Sequence, residues 1–165
     1  EDNLEFLNQV IKHQIPLFFG MKGDSSAFPP DFLRKTFRES SVIFMNETES
    51  RDIEKELKLT SITDLLKDSK TQVLVITKGA KGSTYITKDG SGGDVPAVRI
   101  EEVVDTTGGG DGFISGFLYG YFHGLDYAEC CHYGALVSSF VLEAEGCTTN
   151  LPSEKQLLER KNREV

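Results

Sequence analysis

An α/β fold with a mainly parallel sheet and a small antiparallel edge is predicted by three features of the chain. Short apolar runs alternate with helical patterns, the rhythm of βαβ units whose sheet is covered on both faces. That rhythm breaks at residues 83–100, where two extended stretches flank a glycine-rich turn, the pattern of a hairpin. After Asp105 only helical patterns remain, so the whole reads as one α/β layer structure.

Residues 2–13 space Leu4, Leu7 and Ile11 as one face of an amphipathic helix. Pro16-Leu-Phe-Phe19 is a short apolar run that meets glycine, a buried strand. Gly20 to Pro30 is a loop rich in Gly, Ser, Asp and Pro. Pro30 suits the first turn of a helix over 30–38. Ser41–Met45 is a second strand, and polar helices follow at 46–57 and 61–68. Gln72–Thr77 is a third apolar strand. Ser83–Thr87 and Val95–Ile100 are the hairpin arms, joined by a turn at 88–94. Helices follow at 111–123, 127–143 and 153–163. No boundary, repeat or low-complexity stretch divides the chain, so residues 1–165 read as a single domain.

The length of 165 residues is enough to bury about 70% of the unfolded surface without staples. Eighteen Lys and Arg against twenty-six Asp and Glu give a net charge of −8. A nucleic-acid or anionic-membrane binder draws affinity from a basic face, which this balance opposes. No apolar run reaches the ~18–20 residues of a membrane span. Three cysteines, two of them adjacent (Cys130, Cys131 and Cys147), are not a disulfide framework and fit a reducing cytosol. They form no zinc spacing. The chain opens at Glu1 without methionine or a signal-like segment, as a fragment or processed chain would.

The most informative stretch is Asp105-Thr-Thr-Gly-Gly-Gly-Asp111. Gly108, Gly109 and Gly110 run straight into a helix. Glycines let the backbone curl close to a ligand, and the helix start adds unpaired N–H groups and a positive dipole end. Together these suit an anion, most naturally a phosphate. Asp111 has two readings. It is an N-cap satisfying a backbone donor, or a carboxylate beside bound phosphate that takes a proton from an attacking hydroxyl. No window supplies a Walker A loop, and Phe113 stands where a dinucleotide fingerprint needs glycine.

This stretch resembles the signature of the ribokinase / phosphofructokinase-B family of sugar and nucleoside kinases, Asp-Thr-Thr-Gly-x-Gly-Asp. Asn46-Glu-Thr-Glu49 is similar to that family's Asn-x-x-Glu motif. Thr77-Lys-Gly79-Ala-Lys-Gly82 is similar to its Thr-x-Gly-x-x-Gly stretch. All three occur in the family's order, and the likeness runs from about residue 14 to 152. The resemblance implies a ribokinase-like three-layer sandwich and an ATP-dependent kinase. It implies that Asp111 is the catalytic base and that Gly108, Gly109 and Gly110 form the anion hole, where positioning and electrostatics carry most of the catalysis. Asn46 and Glu49 would hold Mg²⁺ through water, since that ion keeps several waters. The alternative for Asn46 and Glu49 is a helix start with acidic residues in its first turn. Thr77, Gly79 and Gly82 would line the ATP site, or form an ordinary strand–turn–strand. Asp105 and Thr107 match one side of a monovalent-cation site, such as one for K⁺, with carbonyl donors near Val141 to Gly146.

The family's acceptor-binding stretch, with its early glycine pair and strand lid, has no counterpart here. The chain therefore reads as the C-terminal nucleotide-binding half, with the N-terminal half and lid missing. Bare sheet edges and apolar faces then call for self-association as a homo-oligomer or for a companion N-terminal half. The acceptor is a sugar or nucleoside. A second function class, a non-catalytic nucleotide-binding or interaction module, stands beside the kinase. Gly146 to Pro152 corresponds to a run that passes the adenine end of the nucleotide in relatives.

Other chemistry-bearing residues have structural readings. Cys130 and Cys131 are buried hydrophobes. Phe117, Tyr119, Tyr121 and Phe122 are packing residues rather than a base-stacking platform. His13 ends a helix, where a cation suits the dipole. Lys155 to Arg163 is a solvated helix face.

Overall fold

The computed structural model describes residues 2–23 and 28–163. The chain divides into two compact units, Glu1–Thr77 with Thr84–Gly93, and Lys78–Ser83 with Asp94–Val165.

The first unit carries a five-stranded mixed sheet. Its elements are α1 (Asp2–Lys12), β1 (Phe18–Gly20), α2 (Pro30–Glu39), β2 (Val42–Asn46), α3 (Glu47–Glu56), a 3-10 turn (Ile62–Leu66), β3 (Val73–Thr77), β4 (Ser83–Thr87) and β5 (Gly92–Val95), the last two with ends in the second unit. Sheet order follows chain order, β1-β2-β3-β4-β5. The first three strands are parallel, with Phe18 opposite Val42 and Val42 opposite Val73. Residues 78–82 join β3 to β4, and 88–91 join β4 to β5. Connections this short cannot cross over, so these neighbours are antiparallel.

β2 is buried at four successive positions, Val42 to Met45, as a central strand covered on both faces must be. Ile43, Met45 and Leu74 pack with Leu33 and Phe37 of α2, Ile53 of α3 and Leu57 just after it in one core. Burying each such side chain contributes about 1.5–3 kcal/mol. Pro30 at the first helical position starts α2, as expected.

Three boundaries differ from the sequence reading. The first strand begins at Phe18 rather than Pro16. The helix expected over 61–68 is a five-residue 3-10 turn. Ser61 and Asp64 form a capping box there, and Lys67 N–H returns to the Asp64 carbonyl at 3.2 Å. Asp68, at φ +47, stops it. The second hairpin arm is Gly92–Val95, not 95–100. Asp89 Oδ1 accepts from Thr87 Oγ1 at 2.5 Å, Ser91 N–H at 3.0 Å and Ser91 Oγ at 2.7 Å, closing the turn early. Pro96 has no N–H and ends the strand. The expected loop from Gly20 to Pro30 is described only in part, since 24–27 lie outside the described residues.

The second unit is helical: α4 (Gly109–Phe122), α5 (Tyr127–Leu142) and α6 (Glu154–Arg163). α4 packs on α5 through a row of glycines. A Cβ on Gly112 would lie 2.9 Å from Val141 Cγ2, and one on Gly120 would lie 3.0 Å from Cys130 Cα. One on Gly116 would enter the Tyr133 carbonyl, 2.7 Å from its carbon. Side-chain-free positions thus set the close approach that fixes where α4 begins.

The α6 face is less solvated than its charges suggest. Arg160 donates to Glu143 at 2.7 Å and to Ser139 Oγ at 2.8 Å, and stacks over the Phe140 ring. Lys161 pairs with Glu129. Cys130 and Cys131 are fully buried. Burial raises their thiols to about 11 and about 12, as for inert core residues. Phe117 is buried, whereas Phe122 is 70% exposed. Among the described residues no helix is long and apolar enough to cross a membrane.

Candidate functional site

Two parallel strands of the first unit end side by side in candidate residues. Asn46 is the register partner of Thr77. Open α/β sheets bind ligands at the carboxyl ends of their strands. Asn46 caps α3, its Oδ1 accepting from Thr48 and Glu49 N–H at 2.9 Å each. Glu49 answers with Oε2, which accepts from Asn46 N–H at 2.7 Å. Its other oxygen accepts from Gly23 N–H at 3.2 Å. Asn46 and Glu49 are thus a capping box, and Glu49 also holds the strand exit after β1. The carboxylate keeps further lone pairs, and Asn46 is exposed. One carboxylate and one amide suit Mg²⁺ bound through water. Among the described residues no group of three or more His, Cys, Asp or Glu could hold a metal.

The second unit carries the remaining candidates. Gly79 (φ +57) opens a 3-10 turn, Gly79–Lys81. Gly82 is held at φ +87, and its missing Cβ makes room for the backbone of 95–97: a methyl would lie 2.7 Å from Ala97 N and enter the Val95 carbonyl. A side chain there would break the turn twice over, by strain and by collision.

Asp105 clasps two loops. Its Oδ1 accepts from Thr107 N–H and its Oδ2 from Gly146 N–H, both at 2.9 Å. These bonds, Gly146 first, hold its carboxyl below the usual carboxylate range. Gly146, the last residue of the stretch Val141 to Gly146, thus meets Asp105 through its N–H rather than through a carbonyl.

The three glycines at the head of α4 have different roles. Gly108 is its N-cap in the left-handed region, φ +79, and a Cβ there would lie 2.7 Å from Cys147 Cβ. Gly109 donates its N–H to the Thr106 carbonyl at 3.2 Å and faces Leu142 of α5. Among the described residues outside its own helical turn, nothing lies within 4 Å of where a Cβ on Gly110 would stand. Their packing gives no reason for glycine at 110. Asp111 is exposed in the first helical turn, so the carboxylate is not sealed in the core. The first N–H groups of a helix have no intrahelical partner, and the dipole adds about half a positive charge.

The approach of Cys147 to the Gly108 bend was missed by motif spacing. The Asp105–Gly146 bond spans 41 residues, and the motifs name the stretch but not the N–H that makes it.

A family model, the pfkB family carbohydrate kinases, matches residues 2–154. The chain belongs to this family. It is 36% identical over 137 residues to a nucleoside kinase of Methanocaldococcus jannaschii, covering 83% of this chain and 44% of that one. It is 32% identical over 149 residues to a cytidine kinase of Thermococcus kodakarensis, covering 88% and 53%. The crystal structure of the M. jannaschii nucleoside kinase matches at a TM-score of 0.83 and 34% identity, over 90% of this chain and 48% of that one. A Burkholderia thailandensis nucleoside kinase in complex with inosine matches at 0.86 and 27%, over 94% and 50%. The ribokinase-like fold expected from the motifs is therefore established. The chain spans about half the length of these relatives.

Proposed function

We propose that residues 1–165, as one α/β domain, are the ATP-binding part of a kinase that transfers the γ-phosphoryl group of ATP to a hydroxyl of a sugar or nucleoside. The observation that carries this is the exposed Asp111 in the first turn of α4, directly after a glycine whose open side meets, among the described residues outside its own helical turn, nothing within 4 Å.

Asp111 accepts the proton of the acceptor hydroxyl as it attacks. Gly108 sets the bend, and the N–H groups from Gly110 onward stabilise the phosphoryl charge. Little covalent work is left for the protein, so orientation and fixed dipoles supply the rate. Thr77, Gly79 and Gly82 line the nucleotide. Asn46 and Glu49 hold Mg²⁺ through water; bound, that ion neutralises charge on the phosphates. Asp105 and Thr107, with carbonyls between Val141 and Gly146, take a monovalent cation such as K⁺. The Asp105–Gly146 bond supports that pairing of loops.

Nucleosides are favoured among acceptors by the names of the relatives. A net charge of −8 speaks against nucleic acid as a partner, and the reduced cysteines suit the cytoplasm. β1 is a three-residue edge strand; a companion N-terminal half or a second copy pairs there. The chain spans about half the length of its relatives, and orientation of the acceptor supplies several kcal/mol of barrier reduction, so transfer by residues 1–165 alone is expected to be slow.

The test is incubation with ATP, Mg²⁺ and a panel of nucleosides and sugars, for the wild type and Asp111→Asn. ATP binds to both by calorimetry, and the slow transfer of the wild type disappears in the variant. Equal transfer by the two proteins would overturn the base assignment. ATP binding with no transfer by either supports a binding module.

A further inference from the structure

The nucleotide turn at 78–82 is anchored at two points on the exit of β5. Lys78 Nζ pairs with Asp94 Oδ1 at 2.6 Å, and the Lys78 side chain is only 21% exposed. Gly82 lies so close to residues 95–97 that no side chain fits. Between these anchors, among the described residues, the turn is held by its own short bonds. Lys78 N–H donates to the Gly82 carbonyl at 2.8 Å, and Gly82 N–H to the Gly79 carbonyl at 2.9 Å. Gly79 adds nothing to the packing, since a Cβ there would meet open space.

We propose that Lys78 and Asp94 are positioning residues for the nucleotide: their ion pair locks the turn that carries Gly79 and Gly82 onto the β5 exit. This rests on the ATP-site reading of that turn. The two residues act through the turn and need not touch ATP. A glycine-bearing turn that is free must be ordered when a ligand binds, and that ordering is lost affinity. A turn ordered beforehand avoids the loss. The pair is half open: the Lys78 side chain is largely covered and fixed in place, while Asp94 is 74% exposed, so the lock is modest in strength.

Titration of the whole chain with ATP and Mg²⁺ is compared for the wild type, Asp94→Asn, Lys78→Met and the exchanged pair Lys78→Asp with Asp94→Lys. Each single change weakens ATP binding about threefold to fivefold, the effect of losing one partly covered pair. The exchanged pair recovers most of it, which a merely structural loss at either position would not. Amide hydrogen exchange without nucleotide gives a second readout. Protection at Lys78 and Gly82 falls in the single variants and returns in the exchanged pair. Unchanged protection in Asp94→Asn, or an exchanged pair as weak as the singles, overturns the clamp. A wild type that takes no ATP, with the exchange pattern as expected, overturns the functional reading and the nucleotide role while leaving the ion-pair lock in evidence.

Discussion

Gly116→Ala probes the contact that sets where α4 begins. The added methyl would stand 2.7 Å from the Tyr133 carbonyl carbon and 2.9 Å from Gly134 Cα. Both are backbone atoms, so no side chain can swing aside. Carbon contacts are comfortable near 3.5–4.0 Å, and α4 and α5 must separate by about 1 Å. A collision with backbone lies at the upper end of overpacking costs, about 2–3 kcal/mol. Alanine is the better helix former by about 1 kcal/mol, which offsets part of that. The expected net loss is about 1–2 kcal/mol. For a chain of this size that lowers the thermal midpoint by about 2–8 °C. Urea unfolding followed by far-ultraviolet circular dichroism reads the same loss as a lower midpoint with an unchanged slope. A variant as stable as the wild type, or more stable as helix propensity alone would give, would refute the close helix pair.

Gly110→Ala is the counterpart: with nothing within 4 Å of the new methyl, stability is unchanged or rises by up to about 1 kcal/mol while ATP affinity falls, as calorimetry reads. Asn46→Ala removes the cap of α3 and costs about 1 kcal/mol, whereas Asn46→Ser keeps the cap; a serine variant of normal stability with a raised Mg²⁺ requirement for ATP binding separates the ion's site from the helix start. Asp89 accepts three bonds in the hairpin turn, and the Thr87 hydroxyl first, then Ser91, lower its carboxyl to about 2. Its folded value lies below its unfolded one, so its stabilisation is present above pH ~4 and is lost as pH falls toward about 2. Asp89→Asn therefore lowers stability at pH 7 and flattens the acid limb between those values; an unchanged acid profile would show that the turn does not depend on the charge.

Much of this fold is legible in the sequence because its signals are local. Short apolar runs rich in β-branched residues, such as Val73 to Val75, favour central strands, and the glycine run before Asp111 marks both a bend and a helix start. The misplaced hairpin arm has a physical cause: Asp89 closes the turn with its own side chain, so the arm starts at Gly92, ahead of the apolar Val95, Ala97 and Val98 that suggest a strand. The solvated reading of α6 failed at Arg160 and Lys161, whose charges are paired across to α5 rather than turned to water. At the site, each motif names its own residues but not their neighbours. That Asn46 ends beside Thr77 is a matter of sheet register. That Asp105 holds Gly146 is a matter of how α4 and α5 pack, which glycines at 112, 116 and 120 decide.

The proposed phosphoryl transfer requires that the N–H groups at the head of α4 receive the terminal phosphates. Amide chemical shifts of Gly110 and Asp111 should be followed while ATP with Mg²⁺, and separately adenosine, is added to the chain. Large saturable shifts of both amides with ATP and none with adenosine are expected. Amides that stay still with ATP, or move alike with adenosine, would contradict it.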